Sequence, residues 1–173
     1  MEKTEKPPYS VLFKNTIREK PWLFIITYYV YSYPGLSIEE LKNTSGLKID
    51  VVKRGVWWLR KVEVVEERNN KYYISTTYSK VLESTILNTC RLGDTLILLL
   101  DEVYIVYRVT SGRIQYWSIP LKYYEEIAYY ERATSGSYTP SNIAQILGVD
   151  LGTAKKIHRL IDLIKKCGQR LNK

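Results

Sequence analysis

Few of the 173 residues have types and spacings that support bond-making chemistry. The adjacent acids Asp101-Glu102 and Glu125-Glu126 diverge on a strand or helix instead of converging on one substrate, so they do not form a nuclease-type carboxylate pair. His158 is the only histidine, and Cys90 and Cys167 stand far apart without a metal-ligand companion. This ligand count excludes a Cys/His zinc site. No phosphate-cradling glycine loop, nucleophile elbow or paired-histidine helix occurs. The reading is a protein that is not an enzyme, with no catalytic residue, no metal and no cofactor. Both cysteines read as ordinary small residues, with an intracellular disulfide open if the source lives hot.

The chemistry that remains is ionic. The net charge is +8, and it is concentrated at the two ends. Residues 1–75 hold 13 Lys and Arg against 9 Asp and Glu, residues 76–136 hold 6 against 7, and residues 137–173 hold 7 against 2. Cation excess at both ends, with a balanced middle, suits a polyanion, because each phosphate neutralised releases counterions.

The elements that must position these cations follow from pattern. Residues 1–20 read as a flexible basic lead-in. Pro21 suits a first helical turn, and the apolar run at 22–30 demands a helix buried on most faces. Tyr33-Pro34-Gly35 breaks it. Ser37-Ile38-Glu39-Glu40 is a capping box that starts a short helix, closed by Ser45-Gly46. A second helix follows over Ile49–Lys61, with Ile49, Val52, Val56 and Leu59 as its apolar stripe and Lys48, Val51, Arg54 and Trp58 on a different face. Two β-prone runs about Asn69-Asn70 predict a hairpin.

In the middle, residues 80–92 suit a helix, 96–100, 103–109 and 114–119 suit strands, and 121–132 a tyrosine-rich helix. The stretch 134–137 reads as a linker. Thr139-Pro140 then caps a helix ended by Gly148. A last helix carries Ala154, Ile157, Leu160, Ile161 and Ile164 inward and Lys155, Lys156 and Arg159 outward.

Two of these stretches resemble known patterns. Residues 37–61, with their Gly46-Leu47 turn and Leu59-Arg60-Lys61 ending, resemble the helix-turn-helix of winged-helix transcription regulators; Ile49–Lys61 takes the place of the recognition helix and 64–74 that of the wing. Glu63 stands where that family usually has glycine. Residues 139–157, through Ile143-Ala144, Leu147-Gly148-Val149 and Thr153-Ala154, are similar to the simple helix-turn-helix of bacterial and archaeal regulators. The abundance of Tyr, Ile, Lys and Arg with one Met has the texture of small proteins of thermophilic crenarchaea and their viruses or plasmids.

The fold expected is α+β and mostly helical: a winged helix over 21–78, a middle segment over 79–136 with a small antiparallel sheet, and a C-terminal helix-turn-helix over 137–173. The resemblance implies a double-stranded DNA-binding protein, a transcription regulator or a replication or partition factor. The residues expected to contact DNA are Lys48, Lys53, Arg54, Trp58, Lys61, Arg68 and Lys71 in the first part, and Leu151, Thr153, Lys155, Lys156 and Arg159 in the second. The alternative is a protein–protein adaptor in a nucleic-acid machine, which docks through the winged helix and its tryptophan-bearing helix. A homodimer through residues 76–136 is a further expected partner. With no signal-peptide core near the start and no apolar run of membrane length, the location expected is cytoplasmic, with no membrane partner.

Overall fold

The computed structural model describes residues 6–171, with side chains through Gly168. It is α+β, with eight helices and two small sheets among the described residues. The chain falls into two compact units, residues 1–88 with 107–116, and residues 89–106 with 117–173.

The first unit opens with α1 (Tyr9–Glu19). A flexible lead-in was expected here, and residues 9–19 are helical instead. Phe13 and Ile17, one helical turn apart, are wholly buried, and that pair of anchors is enough to hold an otherwise polar helix. Residues 1–5 of the expected lead-in lie outside the described residues. Helix α2 (Leu23–Ser32) buries Leu23 through Thr27 and Val30, as an all-round apolar helix must. Helix α3 (Ile38–Ser45) begins with the expected capping box: the Glu40 N–H donates to Ser37 Oγ at 3.2 Å, and the Ser37 N–H donates to the Glu40 carboxylate at 2.8 Å. These bonds hold the Glu40 carboxyl below its ordinary pKa.

Helix α4 (Ile49–Lys61) follows, then the hairpin of β1 (Val65–Arg68) and β2 (Lys71–Ile74). Asn69 and Asn70 both have positive φ, +52° and +59°, the geometry of a two-residue turn that matches strand twist. Leu36 forms an isolated bridge with Tyr72 on the other side of β2. After a 3-10 turn, α5 (Ser79–Leu87) buries Leu82.

Residues 80–92 were expected as one helix. The structure ends α5 at Leu87 and begins β3 (Thr89–Leu92), which joins β4 (Thr95–Leu100), β5 (Val103–Thr110) and β6 (Arg113–Pro120) in sheet order β3-β4-β5-β6. β3 pairs antiparallel with β4, Thr89 opposite Leu98. The β5–β6 hairpin is divided between the units, since its tip, 107–116, belongs to the first. There Tyr107 is fully buried beside Phe24, ring centroids 5.6 Å apart, and its hydroxyl has no hydrogen-bond partner. Burial holds that phenol well above its ordinary pKa.

In the second unit, α6 (Leu121–Thr134), α7 (Pro140–Leu147) and α8 (Leu151–Leu171) share one core with the sheet: Ile97, Val106, Ile119, Ile127, Ile143 and Ile161 are among its buried members. The 134–137 stretch, expected as a linker, lies inside this unit and runs straight into a buried residue, Tyr138. The Tyr138 hydroxyl donates to Asp162 Oδ1 at 3.0 Å, and Lys165 Nζ lies 4.5 Å from its ring centre and also bonds Glu131 of α6. Cys90 and Cys167, read from sequence as ordinary small residues, are joined in a disulfide with Cα atoms 5.9 Å apart. The fold brings β3 against α8, an adjacency that spacing along the chain does not reveal. No described helix is long and apolar enough to cross a membrane.

Two outcomes are expected. A cross-link between residues 77 positions apart restricts the unfolded chain, so reduction, or the double change Cys90→Ser and Cys167→Ser, should lower stability by about 2–4 kcal/mol; melts with and without a phosphine reductant that coincide would refute this. Tyr107→Phe removes a buried, unpaired hydroxyl without changing the ring, and should stabilise the chain by about 1 kcal/mol. Denaturant titration reads the sign.

Candidate nucleic-acid interface

Which cations of α4 reach solvent is set by its buried face. Val51, Val52, Gly55, Val56 and Leu59 are buried, whereas Ile49, counted in the expected stripe, is 38% exposed. The buried arc is thus turned by roughly 50° from the expected one, at 100° per residue. Gly55 explains the turn. A Cβ there would lie 1.9 Å from Ile26 Cδ1 and 3.2 Å from the Trp22 ring, so α2 crosses α4 at the glycine, and the buried face includes it.

Outward on α4 stand Lys53, Arg54, Trp57, Arg60 and Lys61. Trp57 is 56% exposed, while Trp58 is half-buried, with Lys20 Nζ 4.2 Å from its ring centre. The two indoles meet edge-on at 4.9 Å, and Lys61 Nζ lies 5.1 and 5.0 Å from their centres. Of the two tryptophans, the one outside the expected set occupies the middle of the exposed face. Arg60 is ion-paired with Glu67 of β1 at 2.7 Å, which ties the helix end to the hairpin.

The remaining expected residues of this unit lie at its edges. Lys48 precedes the first turn of α4, and its N–H donates to the Gly112 carbonyl at 2.8 Å. Gly112 has φ +73°, and a Cβ there would sit 2.7 Å from Lys48 Cγ, so conformation and space both ask for glycine. The β5–β6 tip therefore flanks the start of α4. Arg54 lies with its guanidinium 5.2 Å from the Trp22 ring centre, on a cleft shared with Arg113 of that tip. Arg68 folds back on its own hairpin, 3.3 Å from the Glu66 carboxylate and 4.0 Å from the Tyr73 ring centre. Lys71 is exposed on β2.

The second cluster belongs to α8. Asp150 accepts hydrogen bonds from the Thr153 N–H at 2.9 Å and the Thr153 hydroxyl at 2.6 Å. They hold the Asp150 carboxyl below its ordinary pKa and occupy the hydroxyl proton that Thr153 would otherwise offer to a base or phosphate. Leu151 is 48% exposed. Lys155, Lys156 and Arg159 are exposed and have no ion-pair partner among the described residues, while Ala154, Ile157, Ile161 and Ile164 are buried. Gly148 ends α7 in the left-handed conformation, φ +65°.

No protein-family model, curated protein or solved structure matches the chain. What these surfaces can do follows from their own chemistry. The structure collects Lys53, Arg54 and Lys61 of the expected set on one side of one helix, sets Lys48 at its start, and gathers Lys155, Lys156 and Arg159 on one side of another. The residues expected to contact DNA did not include Trp57, Arg60 or Arg113. The signal for the first two was Gly55, since glycine inside a helix marks a close approach and would have drawn the buried face towards its side. Nothing local signals Arg113, which lies 59 positions after Arg54 in the chain and shares its cleft only through the fold.

The hairpin entry gives a direct test. Glu63 has φ +62°, a conformation costing a non-glycine residue about 1–2 kcal/mol. Glu63→Gly should raise stability by about 1 kcal/mol, moving the melting temperature up by about 2–4 °C. A lower melting temperature would show that the Glu63 side chain supplies more than its backbone costs.

Proposed function

We propose that this protein binds double-stranded DNA, using α4 of the first unit and α8 of the second, and acts at specific sites as a transcription regulator or a replication or partition factor. The observation that carries the reading is the exposed side of α4, where Lys53, Arg54 and Lys61 surround a solvent-facing Trp57. A helix entering the major groove needs cations for the flanking phosphates and a few side chains for base edges. Trp57 offers apolar surface of the kind that meets thymine methyl groups. The element order supports a winged-helix arrangement: α3, the Gly46-Leu47 turn, α4 and the β1–β2 hairpin follow one another as they do in that family's pattern. On this reading Lys71 is the hairpin cation best placed for phosphate, since Arg68 is held by Glu66 and Tyr73.

One observation favours a second reading. An exposed tryptophan in the middle of a helix face is also what a protein-docking surface presents, and an adaptor would use Trp57 in that way.

The two readings separate on point changes. The α7–α8 segment shares its core with α6 and the sheet, so single side chains, not truncations, are the instrument. Lys53→Glu should weaken duplex binding by about 1–3 kcal/mol and reduce the slope of log affinity against log salt by about 1 or more. Lys156→Glu should do the same through α8. Fluorescence anisotropy with a labelled duplex over a salt series measures both. Unchanged affinity and slope in folded variants, with Trp57→Ala equally silent, would sink the DNA reading in favour of docking.

A further inference from the structure

Between the first turns of α4, the head of α2 and the start of β6 lies a cleft of about 590 Å³ within the first unit. Two arginines line it, Arg54 and Arg113, together with one acid, Asp50, and two aromatic residues, Trp22 and Tyr116. Val51 and Ile114 supply its apolar wall. None of the three charged residues has an ion-pair partner among the described residues. Arg54 and Asp50 share a cleft without being paired, and Arg113 comes from a distant part of the chain to stand with them. Cations without ion-pair partners beside aromatic residues, in a concavity of ligand size, are the groups an anionic, ring-bearing ligand needs.

We propose that this cleft binds a nucleoside monophosphate. Each element of that ligand has a counterpart. A guanidinium presents a planar fork of donors that matches phosphate oxygens, and two of them balance one dianionic phosphate. Trp22 and Tyr116 offer ring surface to a heterocycle, a contact open to any base because every base has a π-face. The Arg54 guanidinium already lies 5.2 Å from the Trp22 ring centre, so the phosphate-binding group and the stacking surface adjoin, as they must for one small ligand to touch both. Asp50 is acceptor-only when ionised and suits ribose hydroxyls. It also offsets part of the positive charge: two cations against one acid leave an excess of only one, which disfavours a triphosphate more than a monophosphate.

The site does not depend on the DNA reading. If both hold, the nucleotide becomes an effector, because a filled cleft removes Arg54 from the duplex-facing set.

The test is calorimetric titration of the full chain, without DNA, using AMP, GMP, CMP and UMP, with inorganic phosphate and adenosine as the two half-ligands. At least one nucleotide should bind in the sub-millimolar range and at least tenfold tighter than either half-ligand. Arg113→Ala, on an exposed hairpin residue, should weaken that nucleotide at least tenfold with no change in melting temperature, and Arg54→Ala should do likewise. Asp50→Asn removes a negative charge beside the two arginines, so it should strengthen phosphate while narrowing the preference for the nucleotide over phosphate. No heat from any of the four at millimolar concentration overturns the proposal. So does phosphate binding as tightly as the nucleotides, or undiminished affinity in folded Arg113→Ala. Lys53→Glu, which lies outside the cleft, separates the two readings: loss of duplex binding with nucleotide binding intact is expected, whatever role the duplex proves to have.

Discussion

The surface chemistry of the first unit depends on the close approach of α2 to α4 at Gly55. The helices can meet there because the position has no side chain, and once they meet, the orientation of α4 about its axis is fixed. Val51, Val52, Val56 and Leu59 go inward. Everything charged on the helix goes outward or to a flank, with Trp57 among the cations and Trp58 held under Lys20. A turn of α4 by half a residue spacing in either direction would bury a lysine or expose a valine. Steric fit at one glycine thus decides the electrostatics of a surface on the far side of the helix, because a close-packed interior passes rotation on without absorbing it.

The second unit is organised differently. Its helices are held by a continuous core with the sheet and by specific braces around it: the Cys90–Cys167 disulfide, the Tyr138–Asp162 hydrogen bond and the Lys165–Glu131 pair. These braces join α8 to β3, to the segment before α7 and to α6. The exposed lysines of α8 therefore ride on a helix restrained from several directions. Cations on a rigid support lose less conformational freedom when they meet a partner than cations on a loop.

Much of this was legible in the residues. The capping boxes at Ser37 and Thr139, the left-handed ends at Gly46 and Gly148, and the Asn69-Asn70 turn each rest on local chemistry, and the structure has them where local chemistry puts them. The helix over Ile49–Lys61 was legible to the residue. What escaped was what depends on distant partners. The helix α1 looks polar because only Phe13 and Ile17 anchor it, and their worth depends on a core assembled elsewhere. β3 was absorbed into the preceding helix because Thr89–Leu92 acquires its strand character from β4. The disulfide and Arg113 were hidden for the same reason, since each pairs residues far apart in the chain. At the candidate interface, the list of cations was readable and their direction was not, because direction follows from packing at Gly55.

The path of the chain through the first unit bears on how such a protein can change over generations. Residues 107–116 belong with residues 1–88, although eighteen residues of the other unit intervene, and the Gly112 carbonyl they carry receives the Lys48 N–H. A single genetic crossover anywhere between residues 62 and 107 would give α4 a hairpin tip from a different ancestor. Recombination that exchanges whole modules works best when each module is one uninterrupted stretch, and this one is not. The two units are thus expected to be inherited together and to diverge by substitution, so that a lineage carrying one with a foreign version of the other should be rare.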